Sequence, residues 1–378
     1  MPVKLLELNT VIHEFGTFAA FAEAFALNGR DLVFTSRRVY EAVIVPLGLA
    51  CRVLLRDAYG AGEPTDGMMN ALLRERSRLE AETPGGIHRV IAIGGGSILD
   101  MAKVLAVAPE GTEDVNDLYA RPADLMPRHP LIALPTTCGT GSEVTNISVI
   151  YRSALGTKHG LVGDALYPAH AVLVPELLAG LPYHVFAASA IDALIHAMES
   201  YLSPLATPLT DVLGAYAMRE ILAGFRAVAA DRGTLSSLSG QFLRASACAG
   251  AAFGNAGCGP VHALSFALGG KYHVPHGESC YQYLMPVLQY YRAGGGSGKL
   301  ERLNGLLIEV LGGEDGFDAL AELLERILPR KPMSAYGAVQ ADVGAFARST
   351  MENQQRLLNR ACVPLTLEAA IRIEQECL

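Results

Sequence analysis

The chain is expected to fold as an α/β N-terminal half on a mostly parallel sheet, followed by an all-α C-terminal half. Three observations lead there. Short apolar runs alternate with helical stretches in the first half, which is the pattern of a sheet covered on both faces. Past Leu181-Pro182 the strand-like runs stop, and Ala-rich helical segments continue to the end. That second half also carries Asp192, His196, His262 and His276, a carboxylate and three imidazoles suited to a divalent transition metal. The domains are therefore expected at residues 1–182 and 183–378.

Taken in order, Asp31–Ser36 and Cys51–Leu55 look like short buried strands. A Thr65-Asp66 cap opens an amphipathic helix to Glu82, with Met68, Met69, Leu72, Leu73 and Leu79 on its apolar positions. His88–Ile93 is a β-branched run that ends in Gly94-Gly95-Gly96-Ser97, after which Ile98–Ala108 is helical. Leu131–Leu134 and Ala171–Val174 are two further strands. Helices are then predicted over Ala187–Tyr201, Thr210–Ala230, Leu235–Ala252, Val261–Leu268, Leu300–Leu311, Gly316–Ile327, Ala341–Asn359 and Thr366–Cys377.

Composition narrows the function. A net charge of -8 without a Lys/Arg run argues against nucleic acid as a partner. The seven cysteines have no Cys-x-x-Cys spacing and the N-terminus carries no secretory signal, which suits reduced thiols in the cytoplasm. No apolar run is long enough for a bilayer, so no membrane partner is expected.

Two patterns carry chemistry. Asp192 and His196 stand one helical turn apart among apolar neighbours, so both face one way from a buried helix and need partners there. The Gly94–Ser97 turn follows a strand and opens a helix. There glycines admit a phosphate to the backbone N–H groups and allow positive φ, the helix N-terminus adds partial positive charge, and Ser97 adds a hydroxyl. A second polar loop after a strand, Pro135-Thr-Thr-Cys-Gly-Thr-Gly-Ser-Glu-Val-Thr145, places a nucleotide crevice at the strand ends.

Taken together, Gly94-Gly-Gly-Ser-x-x-Asp-x-Ala-Lys103, Pro135–Thr145, Pro175-Glu-Leu177, Asp192-Ala-Leu-x-His-Ala-x-Glu199 and Pro275-His-Gly277 resemble the iron-dependent (group III) alcohol dehydrogenases. The resemblance runs in order over essentially the whole chain. Within that family, Pro135–Ser148, Phe253–Gly257, Lys271–Glu278 and Gln354–Leu358 look like the 4-hydroxybutyrate dehydrogenases of fermenting bacteria.

The resemblance implies a dehydroquinate synthase-like pair of domains with a cleft between them, and a homodimer. It puts a divalent ion, Fe2+ or alternatively Zn2+, on Asp192, His196, His262 and His276. It implies NAD, with NADP tolerated, on Ser36, Gly94, Gly95, Gly96, Ser97, Asp100, Thr136, Thr137, Thr140, Ser142 and Lys158. The activity it implies is hydride transfer between 4-hydroxybutyrate and succinic semialdehyde. Alternatives are a general short-chain alcohol dehydrogenase, a dehydroquinate-synthase-type lyase and a non-catalytic nucleotide sensor.

Departures sharpen these expectations. Where many members carry a second histidine the chain has Phe266, and His273 stands nearby instead, so His276 and His273 are the catalytic candidates. Ser36, followed by Arg37 and Arg38, occupies the place of a ribose-binding Asp, which removes repulsion of a 2′-phosphate. Val174 replaces the usual Asp before Pro-Glu-Leu. Lys271, Arg356, Arg360 and Asn255 are the candidates to receive or orient a substrate carboxylate.

Overall fold

A computed structural model describes residues 4–296 and 298–378 and divides them into two compact units. One comprises Leu8–Thr137 and Gly141–Leu181; the other comprises Pro182–Leu378, Cys138–Thr140 and the segment up to Glu7. Packing thus assigns two segments N-terminal to residue 182 to the helical unit, which no composition shift marks.

The α/β unit contains strands β1 (Val11–Glu14), β2 (Asp31–Thr35), β3 (Arg52–Leu55), β4 (Arg89–Gly94), β5 (Leu131–Pro135), β6 (Ile147–Arg152), β7 (Thr157–Val162) and β8 (His170–Leu173). Its helices are α1 (Phe18–Ala24), the single turn α2 (Arg37–Val39), α3 (Asp66–Glu82), α4 (Gly96–Val107) and the short α5 (Asn116–Ala120). The six-stranded sheet runs in the order β1-β8-β5-β4-β2-β3, and every neighbouring pair is parallel.

Alternation along the strands divides their residues between two cores. Leu32, Phe34, Val90, Ala92, Leu131 and Ala133 pack with α3 and α4, while Val33, Ile91, Ile93, Ile132, Leu134 and Val172 pack with Phe18 and Phe21 of α1. Both faces are buried, which is why these strands appear in the sequence as unbroken apolar runs. The antiparallel pair β6–β7, along with β1 and α1, was absent from the sequence reading. β1 and β7 leave Val11, Ile12 and Val162 exposed, so their polar-apolar contrast is weak.

The helical unit contains α6 (Tyr183–Leu202), α7 (Pro208–Ala230), α8 (Leu235–Ala256), α9 (Pro260–Tyr272), α10 (His276–Ala293), α11 (Gly298–Leu311), α12 (Gly316–Ile327), α13 (Gln340–Asn353), α14 (Gln355–Leu358) and α15 (Leu367–Cys377). α6 is buried almost all round, as its apolar sequence requires. The helix predicted over Ala341–Asn359 breaks at Gln354 into α13 and α14. α10 is a whole element that the sequence reading missed: Pro286 inside it and tyrosines along it blur the helical pattern. Among the described residues, no helix is long and apolar enough to cross a membrane.

Candidate active site

In the helical unit, α6 supplies Asp192 and His196 one turn apart, α9 supplies His262 in its first turn, and α10 begins with His276. Asp192 Oδ1 lies 3.6 Å from His262 Nε2 and 3.8 Å from His276 Nε2. Among the described residues neither Asp192 Oδ1 nor His262 Nε2 has a hydrogen-bond partner, although both residues are buried. Glu199 fixes the orientation of His262: its Oε2 accepts from Nδ1 at 2.6 Å and from Gly259 N at 2.9 Å, while Oε1 accepts from Val261 N at 2.7 Å. The Nε2 atom is thereby aimed at a carboxylate oxygen at non-bonded distance, an arrangement that a cation between them would satisfy.

His196 is oriented separately. Its Nδ1 lies 3.2 Å from the Gly139 carbonyl and 4.0 Å from Asp192 Oδ2. Its ring stacks between Phe253, at 4.2 Å, and His262, at 4.6 Å. Two overlapping groups of ligand atoms result, each within 4.8 Å: Asp192, His262, His276 and Cys280 in one, and His196, Cys258 and His262 in the other. The two thiols were not anticipated, although His276 and Cys280 repeat the four-residue spacing of Asp192 and His196.

The charges in the cluster support one another. Burial alone would push the Asp192 carboxyl up, but the charges of His196, His276 and His262 outweigh it and hold it well below its usual range. For His276, burial pushes down while Cys280 and Asp192 push up more strongly, to about 9. For His262 burial likewise pushes down, but Cys258, Cys280 and Asp192 outweigh it and raise its pKa well above the ordinary histidine value. Imidazoles bind a cation only when deprotonated, so metal uptake should be coupled to proton release. The donor set fits a divalent transition metal.

His273 is not brought into this cluster. It is exposed and caps α9 in the left-handed conformation, φ 54°. Phe266 lies beside His276, with ring centroids 6.1 Å apart. The carboxylate-binding candidates also separate. Lys271 and Tyr272 both bind Asp342, the tyrosine at 2.6 Å. Asn255 accepts from Glu7 N at 2.6 Å and donates to Glu7 O at 2.9 Å, tying the N-terminal segment to α8. Arg356 is exposed. Arg360 is half-buried with its Nε 3.2 Å from where a Cβ on Gly257 would stand, next to Cys258. Burial, followed by the like charge of Arg356, lowers its pKa.

In the α/β unit, β4 and β5 end side by side, with Gly94 paired to Pro135 and Thr136 N donating to Gly94 O at 3.0 Å. α4 starts at Gly96 with no side-chain cap from Gly95, which leaves its first amides open to an anion. The expected positive φ is not found at Gly94, Gly95 or Gly96; at Gly95 it is -75°. Close approach excludes a side chain at Gly94 and crowds one at Gly95. A Cβ at Gly94 would lie 2.5 Å from Ile98 Cδ1, and one at Gly95 would lie 3.3 Å from Thr137 Cγ2.

Ser97, Thr136 and Thr137 are partly exposed around this turn. Asp100 turns inward: it accepts from Ser142 Oγ at 2.6 Å and from Val149 N at 2.9 Å. Lys103, fully buried and pushed down to about 8 by that burial, donates to Thr145 Oγ1 and to Ile147 O. Asp100 and Lys103 thus pin the loop after β5 onto α4. Ser36 caps α2 through Val39 N, and Asp57 Oδ2 accepts from Arg37 N at 2.6 Å. Arg38 is tied to the Gly180 carbonyl, and Lys158 pairs with Glu63 at 3.2 Å. Thr140 belongs to the short segment grouped with the helical unit.

Comparison with known proteins bears on both units. The sequence model for iron-containing alcohol dehydrogenase matches residues 9–175, and that for the C-terminal part of the Fe-containing alcohol dehydrogenase family matches 186–372. A 4-hydroxybutyrate dehydrogenase from Clostridium kluyveri is 39% identical over 369 residues, covering 97% of each chain. Long-chain-alcohol dehydrogenase 1 of Geobacillus thermodenitrificans is 34% identical over 356 residues, covering 88% of this chain and 87% of its own. The fold is that of sulfoacetaldehyde reductase from Bifidobacterium kashiwanohense, whose structure is in complex with NAD+. The TM-score is 0.85 at 23% identity, covering 100% of this chain and 99% of that one. With both halves matched in order and a near full-length relative at this identity, the chain belongs to the iron-containing alcohol dehydrogenase family and is an alcohol dehydrogenase.

Proposed function

We propose that this enzyme interconverts 4-hydroxybutyrate and succinic semialdehyde, using NAD and one divalent ion, as a cytoplasmic homodimer. The observation that carries the reading is the cluster of buried Asp192 and His262 with half-buried His276, with two opposed polar atoms lacking partners among the described residues, in a chain this similar to a 4-hydroxybutyrate dehydrogenase. Oxidation moves a hydride from the carbinol carbon to nicotinamide and releases the hydroxyl proton to solvent. Asp192, His196, His262 and His276 would hold a divalent ion, which would supply the Lewis acidity that makes the hydroxyl acidic. Glu199 holds His262 in register for that task, and Phe253 stacks His196 in place.

The NAD pyrophosphate is assigned to the uncapped start of α4 at Gly95, Gly96 and Ser97, with Thr136 and Thr137 beside it. Asp100 and Ser142 satisfy each other and position that loop. Asp57 supports NAD over NADP: a carboxylate stands at the turn after β2 although Ser36 itself carries none. For the substrate carboxylate the reading selects Arg360. No ion pair or hydrogen bond engages its guanidinium among the described residues, and it lies against the Gly257–Gly259 loop that leads to His262.

The test is steady-state reduction of succinic semialdehyde and of butyraldehyde with NADH or NADPH, for the native enzyme and Arg360→Met. A charge-assisted hydrogen bond of about 1.5–3 kcal/mol predicts a roughly tenfold to hundredfold preference for the semialdehyde. Arg360→Met should abolish that preference by raising KM for the semialdehyde alone, and NADPH should serve poorly. Equal efficiency on both aldehydes in the native enzyme would make it a general short-chain alcohol dehydrogenase.

A further inference from the structure

The helical turn of α14 continues through Asn359, so Arg356 and Arg360 stand one turn apart and leave the same side of the chain. Leu357 and Leu358 between them are buried and pack this turn against α9. Arg360 is half-buried and Arg356 is exposed. The Arg360 stem lies along the Gly257 backbone: a Cβ at Gly257, whose φ is 82°, would stand 3.2 Å from Cγ and from Nε. The Arg360 carbonyl oxygen is 3.7 Å from the Cβ position of Gly259, which is also 3.0 Å from Oε1 of Glu199, the residue that orients His262. Among the described residues no carboxylate pairs with either guanidinium, and no hydrogen bond engages one. Two like charges one turn apart repel, and in a chain of net charge -8 carboxylates to neutralise them are plentiful. A cation pair left open beside the loop that leads to His262 suits an anion arriving from solvent.

We propose that Arg356 steers anionic substrates to Arg360, so that one turn of chain both captures and holds the terminal carboxylate of the aldehyde. The inference rests on the assignment of Arg360 to that carboxylate and deepens it by giving the two cations different tasks. The half-buried guanidinium is partly shielded from salt and holds its anion through short charge-assisted hydrogen bonds. The exposed one acts at longer range through its field, which raises the local concentration of anions and is screened by salt. A neutral aldehyde feels neither. Selectivity for an anionic substrate therefore has two parts, one that persists in high salt and one that does not.

The experiment measures kcat/KM of the metal-loaded enzyme with NADH for succinic semialdehyde and for butyraldehyde. Salt is varied from about 0.01 M to about 1 M, over which the screening length shrinks from roughly 30 Å to roughly 3 Å. The semialdehyde-to-butyraldehyde ratio of the native enzyme should fall as salt rises. Arg356→Gln should lower that ratio roughly two- to fivefold at the low end and meet the native value at the high end. Arg302→Gln, at an exposed position on α11 and with the same change in net charge, should keep the native salt dependence. Arg360→Met should lower the ratio at every salt concentration. A salt dependence in Arg356→Gln equal to the native one, or one flattened as much by Arg302→Gln, would overturn the steering role and leave Arg360 as the carboxylate contact. A ratio lowered equally at all salt concentrations by Arg356→Gln would overturn it as well, by making Arg356 a direct contact. An unchanged ratio in Arg360→Met would instead remove the Arg360 assignment on which the steering rests. No preference in the native enzyme at any salt would remove the carboxylate pocket and the steering together.

Discussion

Glu199 is the residue on which the orientation of the centre depends most directly. Its two oxygens accept three hydrogen bonds, from His262 Nδ1 and from the amides of Gly259 and Val261 at the start of α9. A carboxylate there fixes the imidazole tautomer and raises the basicity of the opposite nitrogen. Glu199→Gln keeps the shape but presents an amide NH2 to at least one donor. Metal affinity should fall roughly 10–100-fold, measured by chelator competition, with a much smaller effect on apparent cofactor affinity. Unchanged metal affinity in Glu199→Gln would show that His262 is oriented by its surroundings without this carboxylate. The sequence displayed Glu199 within its motif but not its role, since His262 lies far along the chain and only the α6–α9 packing brings the two together.

At the scale of elements, α10 approaches α6 at a position where only glycine fits. A Cβ on Gly277 would stand 2.2 Å from the Ala188 carbonyl oxygen and 3.3 Å from Asp192 Cβ. That contact sets the distance between His276, at the start of α10, and Asp192 on α6. Gly277→Ala should force the helices apart, destabilise the fold by about 1–3 kcal/mol and weaken metal binding together with stability. Gly270→Ala is the control, because nothing lies within 4 Å of its Cβ position in α9 and alanine favours a helix interior. Melting temperature and Co2+ affinity both left intact in Gly277→Ala would show that the α6–α10 spacing is set elsewhere.

For the molecule as a whole, stability against pH should depend on a buried acid far from the centre in sequence. Glu374 of α15 is fully buried, with Oε2 accepting from Tyr283 Oη at 2.9 Å and Oε1 without a partner among the described residues. Burial raises its pKa from 4.5 to about 8, against a smaller lowering by the Tyr283 hydrogen bond. The folded chain therefore binds a proton that the unfolded chain releases. This contribution is fully present below the unfolded value and is lost as pH rises through about 8. Glu374→Gln removes the dependence. Its melting temperature should exceed that of the native protein by a few degrees at about pH 9, on the order of 1–3 kcal/mol, and by less at about pH 6. A difference that stays constant between those two values would mean Glu374 does not titrate in the folded state.

The sequence by itself determined the parallel sheet, the helical second half, and the facing of Asp192 and His196. Each of these is written in a local period: apolar runs for strands buried on both faces, and four-residue spacing for one helical face. It also marked the Gly94–Ser97 turn, although for a partly different physical reason, since close packing on Ile98 rather than positive φ requires Gly94, and Gly95 is tight against Thr137. Only the tertiary structure decided which side chains share an environment. It turned Asp100 onto Ser142 and Val149, Asn255 onto Glu7 and Lys271 onto Asp342, and left His273 exposed outside the ligand cluster. It also brought Glu199, Cys258 and Cys280 to the histidines. Periodicity fixes the face from which a side chain leaves its own helix, but the partners opposite that face come from segments tens of residues away. Their approach is set by packing distances such as that at Gly277, which no local pattern encodes.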